Sequence, residues 1–308
     1  MSNYPPEKAE FHTPFGGFWT DLRNSRGILA GKHTLEWISD KEFADLSFWI
    51  ENGYVVLKDA IPHAMIDAVQ RDIDKVIDTQ YEPSRICYWK KGEKFFHVAQ
   101  RQHMKEAEAK LLDMHMLSEA VREAIFAPVL LRFLNLVFEL HPNAFQSLAF
   151  EYGSQQPIHC DVAFVKVSSP REFVASWIAL EDISEGSGEL EYYPGSQRLP
   201  DHQFGDHTPW AEGDLAKYSN ALVKKAGDAG AKLERFLPKK GDVLFWNAGL
   251  YHGGSPRTKQ SLTRKSLVTH YCPSDRYPMY ADGSFNHCRA TPFGGTVSGC
   301  FPNSVQSV

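Results

Sequence analysis

The chain of 308 residues is 43% apolar and 23% charged, which is the composition of an ordinary globular protein with a substantial core. Its formal net charge of −5 gives no general attraction to nucleic acid or to an anionic membrane, so we expect neither as a partner. No apolar run reaches the roughly 18 residues of a membrane-spanning helix, and the first residues show no signal-peptide pattern. We therefore expect a cytoplasmic protein, and the sequence predicts no particular oligomeric state.

The five cysteines are scattered and include no Cys-x-x-Cys pair. An odd number without regular spacing disfavours both a disulfide framework and a structural zinc site. We expect reduced, mostly buried thiols at Cys87, Cys160, Cys272, Cys288 and Cys300.

The first 57 residues predict an arm, a helix and a strand. Residues 1–38 contain several prolines and glycines and lack periodicity, which predicts an extended arm over the surface. Ser39-Asp-Lys-Glu42 is a capping box before an amphipathic helix. Asn52-Gly53 ends that helix, and Tyr54–Leu57 is the predicted strand.

Two further helices are predicted after this strand. The apolar face of the first extends from Met65 to Ile77, with the spacing of three and four residues that indicates an amphipathic helix. The second covers about 118–140 and is expected to break or kink at Pro128. We assign residues 39–143 as helical support for the rest of the chain.

From Ala144 onward, short apolar segments alternate with glycine and proline turns, which predicts the strands of a sandwich or barrel. The predicted strands are 145–152, 158–167, 173–180, 189–193, 242–246 and 262–271. Residues 197–238 interrupt this series, and an insertion of that length is usually functional, so we expect an active-site lid. We expect one domain, with its core over 144–275 and a tail over 276–308.

A histidine and an aspartate two residues apart are the first candidates for chemistry. In extended backbone His159 and Asp161 point to the same side, and Cys160 points away. Imidazole and carboxylate, completed by a distant second histidine, form the facial triad of non-haem Fe(II) oxygenases, which leaves coordination positions open. The alternative is a sheet strand with a structural histidine and an exposed aspartate.

The segments downstream make the first interpretation more specific. They are the apolar strand Val174-Ala-Ser-Trp-Ile-Ala-Leu-Glu-Asp182, the turn Pro194-Gly-Ser196, the strand entry Lys240-Gly-Asp242, His252-Gly-Gly254 and Thr263-Arg-Lys-Ser266. In this order they resemble the phytanoyl-CoA dioxygenase-like family of Fe(II)/2-oxoglutarate-dependent oxygenases, over about residues 39–275. The resemblance implies a mixed α+β fold with a mainly β core, a double-stranded β-helix (a cupin-like jelly roll) flanked by N-terminal helices.

The resemblance also implies an iron site. His252, which follows a buried-looking strand, is the expected third ligand beside His159 and Asp161. His270 lies one strand later and is expected to be a core histidine or a hydrogen-bond partner of the site. A carboxylate at position 161 favours hydroxylation or desaturation, because related halogenases have a small residue there.

The cosubstrate 2-oxoglutarate would bring a buried C5 carboxylate, which is costly unless it is paired. Arg264 lies 12 residues beyond His252, and its planar guanidinium matches a carboxylate with two parallel hydrogen bonds. Ser266 shares its face on strict alternation and is expected to add a hydroxyl. Arg257 and Lys265 are the alternatives for Arg264.

Other residues of the pocket are expected from position alone. Trp177 matches a tryptophan that lines the cosubstrate pocket in family members, with a plain core role as the alternative. Gln155 and Gln156 stand before the iron segment, and either could donate a hydrogen bond to the cosubstrate or to a metal-bound ligand. The sequence does not rank them, and Gln156 is taken as the candidate for the cosubstrate. The segment 95–101 predicts polar substrate contacts from His97, Gln100 and Arg101.

These residues predict an Fe(II)/2-oxoglutarate-dependent dioxygenase that hydroxylates an unactivated C–H bond of a small molecule, with O2 as oxidant and succinate and CO2 as coproducts. The cations and aromatic residues of the insertion 197–238 suggest a polar or anionic substrate. The alternative function is a non-oxidative cupin-like metal protein, either an isomerase or a small-molecule binder, which has no use for 2-oxoglutarate.

Overall fold

The computed structural model describes residues 10–205, 207–278, 289–293 and 297–301. The helices are α1 Ser25–Thr34, α2 Asp40–Asn52, α3 His63–Asp78, α4 Met114–Leu117, α5 Glu119–Ile125, α6 Pro128–Phe138 and α7 Leu215–Asp228. Short 3-10 turns cover Trp19–Asp21, Arg101–Lys105, Asp161–Ala163 and Ser196–Arg198. In this part of the chain no helix is long and apolar enough to cross a membrane.

The strands are β1 Tyr54–Leu57, β2 Arg85–Lys90, β3 Glu93–His97, β4 Ala107–Leu112, β5 Pro142–Phe150, β6 Val174–Ala179, β7 Leu190–Tyr192, β8 Glu234–Phe236, β9 Val243–Asn247, β10 His252–Gly254, β11 Ser266–Pro273, β12 Arg289–Phe293 and β13 Val297–Phe301. The large sheet has the order β1-β9-β6-β11-β5-β4-β2-β3, with antiparallel neighbours. Strand β13 joins β5 in parallel and carries β12. A second antiparallel sheet has the order β10-β7-β8.

Strand β9 shows how the core is divided. All five of its residues are buried, because both faces of the sheet are covered. Val243 and Phe245 point to the face on which the amino-terminal helices pack. Leu244 and Trp246 point to the opposite face, toward the smaller sheet. Two facing sheets with helices outside one of them give the predicted mainly β core with flanking N-terminal helices.

The helix α2 begins and ends as the sequence predicts. The Ser39 side chain accepts a hydrogen bond from the Glu42 backbone N–H, and the Glu42 carboxylate accepts one from the Ser39 backbone N–H. Gly53 ends the helix in the left-handed conformation, with φ of 75°. The predicted helix 118–140 is interrupted before Pro128, which is the first residue of α6.

Three predictions about the elements are wrong. The amino-terminal segment is not an extended arm throughout, because it contains α1. The support region 39–143 is not only helical, because β2, β3 and β4 extend the large sheet there. Residues 158–167 do not form a regular strand: His159 makes a single bridge to His252, and a 3-10 turn follows at Asp161–Ala163.

The described cysteine side chains agree with the predicted reduced state, since Cys87, Cys160 and Cys272 are free and buried. Cys288 and the side chain of Cys300 lie outside the described parts of the chain. The predicted tail 276–308 is described only in part, and its strand β13 pairs with the core strand β5.

Candidate active site

Two histidines and an aspartate meet between the two sheets. The Nε2 atoms of His159 and His252 lie 3.7 and 3.6 Å from Oδ1 of Asp161. Three such ligand atoms within 4.8 Å of one another can hold one metal ion, and among the described residues no other His/Cys/Asp/Glu group does so. Reciprocal backbone hydrogen bonds of 2.8 Å join His159 and His252. The extended backbone of Cys160 keeps Asp161 on the same side as His159, as predicted.

Each histidine has its other ring nitrogen fixed by the backbone. Nδ1 of His159 lies 2.8 Å from the Pro157 carbonyl, and Nδ1 of His252 lies 3.0 Å from the Leu250 carbonyl. Because a carbonyl only accepts, each Nδ1 carries the proton and each Nε2 offers its lone pair to the cluster. Burial lowers the pKa of His252 to about 4, which favours the neutral ring that a metal needs.

The two oxygens of Asp161 have different surroundings. Oδ1 faces the two histidines, whereas Oδ2 accepts a 2.7 Å hydrogen bond from the indole N–H of Trp246. Nε2 of His270 lies 3.3 Å from the same Oδ2, so His270 is a partner of the cluster, one of its two expected roles. Burial opposes ionisation of Asp161, but the neighbouring His252, His159 and His270 outweigh it and hold the pKa of the carboxyl well below its usual range.

Arg264 lies in the same small cavity as the triad, and it is only 2% exposed. The cavity has a volume of about 70 Å³, and within the described structure the guanidinium makes no hydrogen bond or ion pair. Its carbon Cζ lies 5.3 Å from the ring centre of Phe150 and 5.6 Å from that of Trp177. Burial lowers the pKa of Arg264 to about 10, against the nearby carboxylate of Glu189. A buried cation without a partner is costly, so the cavity fits an anionic ligand.

Other predicted cosubstrate residues lie close to this guanidinium. Trp177 lines the cavity, and its indole N–H has no hydrogen-bond partner in the described structure. The Ser266 hydroxyl is also buried and without a partner, two residues beyond Arg264. Two unsatisfied polar groups that line one cavity, those of Arg264 and Trp177, fit a ligand with a carboxylate end, because buried polar groups are rarely left unpaired.

The structure distinguishes between the alternatives that the sequence left open. Gln156 lines the cavity, whereas Gln155 is exposed and accepts a hydrogen bond from the Arg257 backbone N–H. Arg257 itself stacks on Tyr152 at 4.4 Å, outside the cavity. Lys265 does not line this cavity either.

A larger cavity of about 400 Å³ adjoins the triad on the side away from Arg264. The two cavities share Leu148, Gln156, His159, Asp161 and His270. Its wall also contains three lysines that the sequence did not indicate as site residues, Lys94, Lys110 and Lys166. Lys94 and Lys110 could have been predicted as cavity residues from the alternation of side chains along a strand. That prediction would have required β3 and β4 to be recognised as strands in the sequence.

The structure places the three predicted substrate contacts away from both cavities, which corrects the sequence-based assignment. His97 is exposed and stacks with Tyr88, 5.9 Å between ring centres. Arg101 forms ion pairs with Asp74, Asp78 and Glu151, and Gln100 bonds to Gln80. Of the predicted segment 95–101, only Phe96 lines the larger cavity, together with Lys94, which precedes the segment and shares the face of β3 on which Phe96 lies.

The insertion 197–238 lies behind the iron-binding segment. Tyr218 of α7 packs with Cys160, and its hydroxyl accepts a 3.1 Å hydrogen bond from the Cys160 backbone N–H. Strand β8, at the end of the insertion, belongs to the smaller sheet. Its described residues line neither cavity, so the lid stays a prediction.

Comparison with known families decides between the possible uses of such a site. The family model described as phytanoyl-CoA dioxygenase (PhyH) matches residues 49–266, more than half of the chain. The chain belongs to the phytanoyl-CoA dioxygenase family. The human peroxisomal phytanoyl-CoA dioxygenase is 24% identical over 252 residues, which cover 77% of this chain and 70% of that protein.

Solved structures of similar shape agree with this fold. The epimerase SnoN, in complex with Fe3+, α-ketoglutarate and nogalamycin RO, has a TM-score of 0.61 at 16% identity, covering 86% of this chain and 97% of SnoN. EctD from S. alaskensis, with 2-oxoglutarate and 5-hydroxyectoine, has a TM-score of 0.59 at 16% identity, covering 86% of this chain and 88% of EctD. The carbocyclase SnoK from nogalamycin biosynthesis has a TM-score of 0.58 at 17% identity, covering 79% of this chain and 87% of SnoK.

The predicted family and the predicted cupin-like jelly roll are therefore confirmed. As a member of the phytanoyl-CoA dioxygenase family with a His-Asp-His cluster, the protein is a 2-oxoglutarate-dependent non-haem iron dioxygenase. Its cofactors are Fe(II) and 2-oxoglutarate, and both fit the residues present: three ligand atoms in one cluster, and a buried guanidinium beside it.

Proposed function

We propose that the protein hydroxylates an unactivated C–H bond of a small molecule, with His159, Asp161 and His252 holding Fe(II). One oxygen atom of O2 enters the product alcohol and the other enters succinate, while 2-oxoglutarate loses CO2. The observation that carries the proposal is Arg264, a buried guanidinium in the cavity of the triad that has no hydrogen-bond or ion-pair partner among the described residues. A cation in that state has a clear use only when an anionic ligand binds beside the metal.

The residues of the small cavity would bind and orient the cosubstrate. Arg264 pairs with its C5 carboxylate, and the Ser266 hydroxyl and the Trp177 indole N–H are free to donate hydrogen bonds beside it. Gln156 stands where the two cavities meet and is the candidate for a contact to either ligand. When bound, iron and 2-oxoglutarate together supply the oxidising power, and the protein supplies position and a water-poor surrounding.

The substrate would occupy the larger cavity, whose volume of about 400 Å³ is within the usual range for small-molecule sites. Its wall reaches His159 and Asp161, so a C–H bond of a bound molecule can face the iron position. Phe145, Leu148 and Phe164 give this wall an apolar part that would hold the carbon skeleton. The insertion 197–238, from which a polar or anionic substrate was expected, contributes none of its described residues to this wall.

The alternative, a non-oxidative cupin-like metal protein, keeps the three ligands but needs no second anion site. Burying an arginine without a partner would then destabilise the fold without any gain in function. The position of Arg264 beside the cluster therefore favours the oxygenase.

The test is the binding of 2-oxoglutarate with Fe(II) in the absence of O2, measured by equilibrium dialysis. Arg264→Gln should weaken this binding by two orders of magnitude or more, because removing one partner of a buried charge pair costs about 3–5 kcal/mol. Arg257→Gln is the matched control and should bind as the unaltered protein does. Equal binding by the Arg264 variant, or no succinate from any candidate substrate with Fe(II) and O2, would reject the proposal.

A further inference from the structure

Three lysines line the larger cavity beside the iron cluster, and nothing in the proposed reaction uses them. Lys94 belongs to β3, Lys110 to β4, and Lys166 follows the 3-10 turn that begins at Asp161. Within the described structure none of the three forms an ion pair. The inference drawn from them rests on the proposed function, because the larger cavity is the one assigned there to the substrate.

The pairing of the strands places two of these lysines on one continuous surface. Cys87 of β2 is the direct partner of Phe96 on one side and of Lys110 on the other. Lys94 is two residues before Phe96 and therefore shares its face of the sheet. All four side chains line the cavity, as the register requires.

The same surface continues to the iron cluster. Leu112, two residues beyond Lys110, is the partner of Leu148 on β5. Gln146 of β5 is in turn the partner of His270, whose ring contacts Asp161. The wall of the cavity thus passes from cations, across apolar side chains, to the iron position.

Of the three lysines, Lys110 is the one whose position contributes least to the stability of the fold. It is partly buried, and burial is the main cause that lowers the pKa of its ammonium. It makes no hydrogen bond in the described structure, whereas lysines usually extend their charged end into water. The Lys94 ammonium contacts the Phe96 ring at 5.1 Å, and that of Lys166 contacts the Trp210 ring at 5.0 Å.

The negative groups of the wall do not balance these charges. Apart from Asp161, which faces the histidines, the lining contains one carboxyl group, that of Asp113. Burial raises the pKa of Asp113 to about 7, so much of it is protonated at neutral pH. Among the described residues, the lining therefore places three lysines against one partly protonated carboxyl group besides Asp161.

We propose that the substrate is a small organic anion, whose anionic group binds Lys110 together with Lys94. Its carbon skeleton lies against Phe145 and Leu148, and the C–H bond to be oxidised points toward His159 and Asp161. Lys166 is a third cation in the lining of the same cavity and adds to the attraction for the anion. A carboxylate and a phosphate monoester share the chemistry that this group of cations recognises.

The test uses inorganic phosphate as a probe of the anionic subsite. Radiolabelled phosphate is dialysed against the protein without O2, with Fe(II) and one equivalent of 2-oxoglutarate present so that Arg264 is occupied. The protein should bind one phosphate, and Lys110→Gln and Lys94→Gln should each weaken that binding at least tenfold. Lys217→Gln removes an exposed lysine of α7 and should leave it unchanged.

A second measurement separates loss of the site from loss of the fold. Lys110→Met removes a partly buried cation that has no hydrogen-bond or ion-pair partner in the described part of the chain, so its midpoint of thermal unfolding should equal or exceed that of the unaltered protein. Phosphate should raise the midpoint of the unaltered protein and not that of Lys110→Met. All lysine variants should still bind 2-oxoglutarate with Fe(II), whereas failure of the proposed function would appear as lost binding there in the unaltered protein.

Competition then distinguishes the two sources of the anionic group. Displacement of phosphate by acetate at equal concentration indicates a carboxylate substrate, and resistance to acetate indicates a phosphate ester. The proposal is overturned if the unaltered protein binds no phosphate, or if both Lys110→Gln and Lys94→Gln bind it as well as Lys217→Gln does.

Discussion

The two oxygens of the Asp161 carboxylate have different neighbours: one faces the other metal ligands, and the other accepts a hydrogen bond that orients the carboxylate. Oδ1 is directed at the two histidines, while Trp246 donates a 2.7 Å hydrogen bond to Oδ2. The Trp246 ring also packs against His252, with 5.0 Å between ring centres. One tryptophan therefore orients two members of the cluster, although it contributes no ligand atom.

We expect Trp246→Phe to weaken metal binding while the protein stays folded. Loss of a hydrogen bond that orients a ligand typically costs about 10–100-fold in metal affinity. Phenylalanine keeps an aromatic ring against His252 but cannot donate to Oδ2. Fe(II) affinity measured by anaerobic dialysis checks this, with Trp89→Phe, a partly exposed residue outside the site, as the control. Unchanged affinity in Trp246→Phe would mean that His270 alone suffices to hold the carboxylate.

Asp113 gives a prediction for the dependence of stability on pH. Its pKa is raised to about 7 by burial, although the Ser147 backbone N–H donates to Oδ1 and acts in the opposite direction. The folded state therefore retains a proton that the unfolded state releases at about pH 4. The stability from this proton is fully present below pH 4 and is lost as the pH rises toward 7.

We expect Asp113→Asn to remove this part of the pH dependence. The loss between pH 4 and 7 amounts to about 1.4 kcal/mol for each unit of pKa shift, and asparagine cannot release the proton. Urea unfolding at pH 5 and pH 7 measures the effect. Asp228→Asn, at an exposed ion pair with Lys224, serves as control and should follow the unaltered protein. If Asp113→Asn and the unaltered protein show the same change between the two pH values, the carboxyl titrates normally.

For single residues, the sequence was sufficient to predict which side chains meet in the site where few residues separate them along the chain. His159 and Asp161 share a side because one extended residue separates them, and Arg264 follows His252 at a distance that allows a return of the chain. Lys94 and Lys110 were missed because their proximity depends on the register of β2, β3 and β4. That register is set by contacts between residues far apart in the sequence. A shift of the register by one residue would move these side chains to the other face of the sheet.

Among the elements, the iron-binding segment is unusual because little of it is regular structure. It has one bridge, at His159, and then a 3-10 turn. Helix α7 supports it from behind through Tyr218, whose hydroxyl lies 3.1 Å from the Cys160 backbone nitrogen and 3.0 Å from its Sγ. An insertion expected to be a lid thus contributes a helix that holds the metal-binding segment in place.

We expect Tyr218→Phe to loosen this support. The Cys160 N–H would be left buried without an acceptor, at a cost of about 1–3 kcal/mol. Limited proteolysis should then cut 197–238 faster than in the unaltered protein, and Fe(II) affinity should fall. Tyr81→Phe changes an exposed tyrosine and should do neither. Faster cleavage with normal Fe(II) affinity would limit the role of α7 to stability.

The elements also differ in how well local sequence encodes them. Helix α2 was predictable because its capping box and its Gly53 end are local signals. Helix α1 was not, because Gly27 and Gly31 lower its helix propensity and only Ser25 and Leu29 are buried. Because α1 depends on contacts with the rest of the molecule, the sequence of the first 38 residues alone does not predict it.

In the whole molecule, the site is built from residues of both sheets and of the segment between β5 and β6. His252 belongs to the smaller sheet, Trp246 and Trp177 belong to the large one, and Asp161 lies in the segment between β5 and β6. A ligand that contacts all of these parts binds only the folded state. Its binding energy therefore adds to the stability of the whole protein.

The midpoint of thermal unfolding should therefore measure the binding of Fe(II) and of 2-oxoglutarate separately. A ligand at about 100 times its dissociation constant adds about 2.7 kcal/mol to the free energy of unfolding. Without O2, Fe(II) should raise the midpoint of thermal unfolding, and 2-oxoglutarate should raise it further. In Arg264→Gln the first rise should remain and the second should disappear, because the variant keeps the three metal ligands and loses the partner of the C5 carboxylate. A second rise of equal size in that variant would place the cosubstrate's anionic end elsewhere, and the lysines of the larger cavity would be the next cations to replace.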